Sequence, residues 1–158
     1  MDVDIRKTTE EDIRAIAKNI REAERVEISA LLGVSPLAGL FWSFKMTKDT
    51  YSVFAKDGTI LCVWGFKRDS WCSHEIWMIT TKAVEELKYA KVFIKTSKII
   101  IADIISQYEN PHNIIHDKNT ASIKWLKMLG ADFNGDIIVK GEKFLKFKFK
   151  GSELTCVQ

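Results

Sequence analysis

Between Glu75 and His116 the chain passes from one strand pattern through a long helix to a second strand, which limits the folds open to it. Glu75–Thr81 (EIWMITT) is apolar on both faces, as a central strand is. From Tyr89 to Tyr108 the period becomes helical, with Phe93, Ser97, Ile100, Ile104 and Tyr108 on one face. Asn110-Pro111 stops that helix, because the residue before a proline is pushed out of helical geometry. Asn113–His116 is the next strand. Two strands of one sheet joined by a helix run parallel through a right-handed crossover, so the sheet is mixed.

The flanking elements fit around that core. Val3–Lys7 reads as a short strand, and Thr8-x-x-Glu11 or Thr9-x-x-Asp12 as a capping box opening a helix. Ile13, Ile16, Ala17 and Ile20 form its buried stripe. A second helix covers Glu22–Leu32 and ends at Gly33, and a third short one runs from Leu37 to about Met46 after the Ser35-Pro36 signal. Tyr51–Ala55 and Ile60–Phe66 form a hairpin through Lys56-Asp57-Gly58. Thr120–Leu129 is a helix capped by Gly130. Asp136–Val139 and Phe144–Lys150 close the chain as a second hairpin. In the last strand Leu145, Phe147 and Phe149 alternate with Lys146, Lys148 and Lys150, the pattern of a half-buried strand near a sheet edge. The expectation is a single α/β domain over residues 1–158, with a six- to seven-stranded mixed sheet and four to five helices.

Composition narrows the function classes. A hydrophobic content of 46% with 28% charge is that of a chain able to bury a core. A net charge of +3 is too small to indicate nucleic acid as a partner. No apolar run reaches the ~20 residues of a membrane span, and the polar start MDVDIRKTTE is unlike a secretory signal. Cys62, Cys72 and Cys156 are odd in number and lack C-x-x-C spacing, which suits a reduced, cytoplasmic setting. His112, His116 and Asp117 lack the companions a metal site needs. Trp77 and Trp125 occupy positions expected to be buried. Trp42 and Trp71 fall where an indole serves either as cleft lining or as a contact with another protein.

Four ordered stretches carry a family likeness. They are Arg21–Glu27 followed by Leu32-Gly33-Val34-Ser35-Pro36; Asp57-Gly58 leading to Trp64-Gly65-Phe66; Ile76–Thr81; and Asp117-x-Asn119-Thr120-x-Ser122-Ile123-Lys124-Trp125-Leu126-x-x-Leu129-Gly130. With the element order, they make the chain resemble the GNAT acyltransferase superfamily over essentially its whole length. It looks most like the GNAT-like proteins of phages and prophages related to podovirus internal virion protein A. The superfamily resemblance implies acetyl-CoA as cofactor and acyl transfer to an amine. The phage resemblance implies phage structural or host proteins as partners, in virion assembly or host interaction within the host cytoplasm.

The resemblance also assigns candidate residues. Glu75, beside His74, is the candidate base. Thr80-Thr81 either form the bulge of the acyl-binding wedge or end the strand, and Asn119 and Ser122 either contact the cofactor or open the helix. The superfamily's pyrophosphate loop, Q/R-x-x-G-x-G/A, relies on glycine for close backbone approach. Here no glycine stands between Gly65 and Gly130, and Lys82–Lys95 reads KAVEELKYAKVFIK. Lys82, Lys88 and Lys91 are the candidate compensating charges, while Glu85 and Glu86 oppose an anion. The family's leaving-group tyrosine would fall on Leu126, which has no proton to give, and Tyr89 and Tyr108 lie outside that helix. On these grounds the sequence favours a GNAT-like protein acting through protein contacts. An active N-acetyltransferase with an atypical cofactor site is the alternative.

Overall fold

The computed structural model describes residues 2–70 and 73–151. Trp71, Cys72 and Cys156, singled out above, lie outside the described residues. In chain order the elements are β1 (Val3–Lys7), α1 (Glu10–Asn19), α2 (Glu22–Leu32), α3 (Pro36–Met46), β2 (Asp49–Ala55), β3 (Ile60–Ser70) and β4 (Ser73–Thr80). A 3₁₀ turn (Lys82–Glu85) follows, then α4 (Leu87–Gln107), β5 (Pro111–His116), α5 (Thr120–Met128), β6 (Asp132–Val139) and β7 (Glu142–Lys148).

All seven strands form one sheet in the order β1-β2-β3-β4-β5-β7-β6. The central pair β4–β5 is parallel and every other neighbouring pair is antiparallel. β4 is thus the central strand its two-sided apolar pattern implied, and the crossover through α4 is as expected. β7 lies one strand in from the edge. The β4–β5 register contains only His74↔Pro111 and Glu75↔His112. Beyond it the two strands diverge.

Two cores hold the helices on opposite faces of the sheet. Ile13, Ile16, Ile20, Ile28, Leu40 and Val63 pack together under α1–α3. Phe93, Ile100 and Ile104 of α4 pack with Leu61, Ile115 and Phe147 on the other face. Local chemistry fixes the helix ends. Thr9 and Asp12 make the capping box of α1, whereas the Thr8 hydroxyl accepts from Ser52 instead. Ser35 caps α3 with Pro36 at its first position, and Gly33 ends α2 with φ +71°.

Several boundaries differ from the sequence reading; β7, for one, spans Glu142–Lys148 rather than Phe144–Lys150. α4 starts at Leu87, two residues before the helical pattern shows, because Leu87 and Lys88 are exposed and leave no periodic mark. β3 continues past Phe66 to Ser70. β6 begins at Asp132 rather than Asp136, since a register shift between Phe133 and Asp136, with Gly135 at φ +113°, interrupts its alternation. Trp77 and Trp125 are half-buried rather than fully buried, each indole donating to a hydroxyl: Trp77 Nε1 to Thr47 Oγ1 and Trp125 Nε1 to Ser97 Oγ, both at 3.0 Å. Among the described residues no single helix is long and apolar enough to cross a membrane. The bent pair α2 and α3, at 71°, passes that length and composition test only jointly.

Candidate functional site

The divergence of β4 from β5 opens a cleft through the centre of the sheet, with a cavity of about 460 Å³. Strand alternation gives it two sides. Glu75 and Trp77 turn toward α3, where Lys67 pairs with Glu75 at 3.2 Å and lies over the Trp42 ring. Ile76 and Met78 turn toward α4. At the narrow end, Asn113 Nδ2 bridges the strands by donating to the Ile76 carbonyl at 2.7 Å.

At the wide end, α2 lies across the opening. Arg21, Glu24 and Glu27 recur at three-residue spacing and line the cavity together. Glu24 accepts from the Thr80 backbone N–H at 3.1 Å and from the Thr80 hydroxyl at 2.7 Å. Glu27 accepts from the His116 N–H at 3.1 Å and from Asn119 Nδ2 at 3.2 Å. One helix therefore binds the splayed ends of both β4 and β5. Arg21 extends the lattice: its guanidinium reaches Glu85 at 3.2 Å and the Thr80 and Ser122 hydroxyls at 3.3 Å each, and its N–H donates to the Thr80 carbonyl.

Burial sets the electrostatics. Glu24 is 5% exposed, and loss of hydration pushes its carboxyl up to about 8 despite Arg21 and Thr80. Burial likewise raises Glu27 against the opposing pull of Asn119 and His116. Arg21 lies closer to Glu85, at 3.2 Å, than to Glu24, at 3.6 Å.

Two kinds of polar atom face the cleft without a strand partner. The alternation that turns Thr80 N–H and C=O outward does the same for Met78, and β5 has already left the register there. Asn119, 3% exposed, donates to Glu27 but its Oδ1 is buried with no hydrogen-bond partner among the described residues. Trp64 Nε1, on the same cavity, is in that condition too. A buried polar atom left unpaired costs about 1–3 kcal/mol, which a ligand can recover.

The candidate residues divide accordingly. Glu75, Thr80, Asn119 and Ser122 all line the cavity. Thr81 does not: it is 1% exposed, with its hydroxyl donating to the Ile60 carbonyl on the β3 side. The β3–β4 register is unbroken from His74 to Thr80, so Thr80-Thr81 end the strand and form no bulge. Lys82, Lys88 and Lys91 are exposed and do not line the cavity, and Lys88 lies over the Tyr89 ring, whose hydroxyl points away to Asp57. Leu126 is buried in the core beneath the cleft. Asn119 opens α5 without a side-chain capping bond, which leaves its amide to the cleft. His74 lies tilted against the Tyr108 ring, and His116 is buried 3.1 Å from Glu142. The row Arg21–Glu24–Glu27 carried only a likeness in the sequence. Its signal was three ionisable residues on the same helical face as the apolar Ile28.

No protein-family model and no curated protein matches this sequence. Solved structures do match in shape. Spermidine N-acetyltransferase from Vibrio cholerae, in complex with CoA and spermine, superposes with a TM-score of 0.68 at 11% identity, covering 96% of this chain and 97% of that one. An acetyltransferase of the GNAT family from Bacillus anthracis gives 0.63 at 13% identity, covering 94% and 93%. Likeness at such identities is one of fold, and over nearly its whole length this chain has the GNAT N-acetyltransferase fold.

Proposed function

We propose that the protein is an N-acyltransferase that transfers an acyl group from a CoA thioester to an amine, using a cofactor site without the glycine-rich loop. The observation that carries this reading is the through-sheet cleft, with the Met78 backbone and the unpartnered Asn119 Oδ1 turned into it. A bound CoA thioester would supply the activated acyl carbon and depart as its thiol. Asn119 Oδ1 would accept from an amide N–H of the cofactor's arm. Met78 N–H is the backbone donor placed to polarise an acyl carbonyl. Glu75 would take the proton of the incoming ammonium, directly or through one water. Leu126 offers no proton to the leaving thiolate, so that proton would come from water.

These residues fit the arm of the cofactor and not the usual cradle for its diphosphate. The 3₁₀ turn at Lys82–Glu85 presents Glu85, bound to Arg21, where the family places glycines. A second reading therefore has its own support. Glu24 already occupies the Thr80 N–H. Val26, Val34, Leu37, Trp42 and Met46 on and around α2–α3 are large apolar residues left exposed. A GNAT-fold protein that acts by protein contacts, in virion assembly or against a host protein, would use such a surface. The phage likeness rests on the four sequence stretches alone.

Calorimetry with acetyl-CoA separates the two. Under the enzyme reading, cofactor at a hundredfold excess over its dissociation constant raises stability by about 2.7 kcal/mol, and a primary amine is acetylated. No heat and no thermal shift at millimolar cofactor would leave the protein-contact reading in place.

A further inference from the structure

We infer that the outer face of α4 and α5 is a docking surface for an anionic lipid bilayer, on which the protein lies without spanning it. This face is on the side of the sheet away from α1–α3, and the inference stands whether or not the cleft takes a CoA thioester.

Charge is divided between the two helical layers. α1, α2 and α3 hold six carboxylates and four basic residues, whereas α4 and α5 hold six lysines, no arginine and one carboxylate, Asp103. The net charge of +3 conceals that division. α4 and α5 lie side by side: the Phe93 and Trp125 rings stack at 5.4 Å, and Trp125 Nε1 donates to Ser97 Oγ. Lys88, Lys91, Lys95 and Lys98 recur at three- and four-residue spacing, a stripe about 15 Å long on one side of the helix. All four are exposed, as are Lys124 and Lys127 of α5. Lys88 and Lys95 have carboxylates near them, Glu86 at 4.0 Å and Asp2 at 3.2 Å. Among the described residues Lys91, Lys98 and Lys124 have none.

Aliphatic side chains border that stripe. Leu87 is 73% exposed, Ile99 45% and Ile94 37%, and Met128 of α5 is 48% exposed. The mixture selects the occupant. Nucleic-acid sites use arginine for bidentate contacts and aromatic rings for stacking. This face has no arginine, and its Tyr89 and Phe93 are buried. Protein interfaces are depleted in lysine. A bilayer asks for no fixed donor geometry: an anionic leaflet favours each lysine near it by about fivefold in partition, and its headgroup boundary receives aliphatic side chains. Lying at that boundary needs no spanning segment, and no single described helix is long and apolar enough to be one.

The test is co-sedimentation of the full chain with vesicles of phosphatidylcholine alone and of phosphatidylcholine with about a third phosphatidylserine, at about 0.1 M and about 1 M salt. Binding to the anionic vesicles is expected to be tighter by about tenfold or more at the lower salt, and the difference to vanish at the higher. Lys91→Glu with Lys98→Glu is expected to weaken binding by about tenfold or more. Lys18→Glu with Lys45→Glu makes the same change of net charge on the α1–α3 layer, and binding is expected to stay within about twofold of wild type. Leu87→Gln, which removes an inserted side chain, is expected to weaken it about threefold. Equal binding to both kinds of vesicle, equal losses from the two double variants, or no loss in Leu87→Gln would each overturn the inference. Tighter retention by duplex DNA than by anionic vesicles at the same salt would overturn it in favour of a nucleic acid. Should a variant misfold by circular dichroism, the wild-type comparison of vesicles and DNA decides alone.

Discussion

Glu24 is an acid kept largely out of water, held by a backbone amide and a hydroxyl rather than by a full salt bridge. Its folded value of about 8 stands above the ordinary 4.5. Between those two values the folded chain binds more protons than the unfolded one. The stabilisation is therefore complete below about pH 4.5 and is lost as pH rises to about 8. Glu27, also raised, acts in the same direction. Asp12, where burial is outweighed by Arg6 and Thr9, and Asp57, held at about 2 by the Tyr89 hydroxyl, titrate below that window. Glu24→Gln keeps an acceptor for Thr80 and removes the ionisation. We expect urea denaturation of this variant to show a flatter pH profile from pH 5 to 9. At the alkaline end its stability should exceed wild type by on the order of 1–3 kcal/mol. An unchanged slope would mean that Glu24 is hydrated or fully paired.

At the scale of elements, β3 is shaped by what fits against β4. Gly65 lies opposite Trp77, and a Cβ added there would stand 2.9 Å from Thr50 Cγ2 and 3.0 Å from both Thr47 Cγ2 and Trp77 Cε2. Thr47 also receives the Trp77 indole N–H, so it cannot move freely. Gly65→Ala is expected to destabilise the protein by about 1–3 kcal/mol, seen as a lower urea midpoint with an unchanged m-value. Elements of this kind were legible because their signals are local. Period-3.6 stripes such as Ile13–Ile16–Ile20, the Asp57-Gly58 turn and the two-sided apolar run of β4 are each written within a few consecutive residues, even where the surface they pack on is distant. The site was legible only in part. Asn119, Ser122, Thr80 and Glu75 line one cavity, whereas Thr81 turns to β3 and the three lysines to solvent, since direction at a strand end or helix surface depends on the tertiary path. The Glu24–Thr80 and Glu27–His116 bonds span 56 and 89 residues, and no local pattern encodes a partner at that distance.

The molecule as a whole is two half-sheets, β1–β4 and β5–β7–β6, joined at the centre by two register pairs. A seam so short would leave the halves free to hinge, and the side-chain lattice of α2 supplies the missing rungs: Glu24 holds the end of β4 and Glu27 the end of β5. The Thr80 and His116 amides then differ in kind from ordinary ladder amides, because their protection depends on α2 staying in place. Hydrogen exchange reads this directly, since local opening has its own free energy below that of global unfolding. In Glu27→Ala the His116 amide loses its acceptor and Asn119 its anchor. Exchange at His116 should accelerate at least tenfold, about 1.4 kcal/mol of opening free energy. Phe147 and Leu145, paired within the β5–β7 ladder, should keep wild-type rates. Equal acceleration at all three would show that Glu27 acts on global stability instead. Confinement to His116 would identify α2 as the element that sets the width of the cleft, and thereby governs what can enter between β4 and β5.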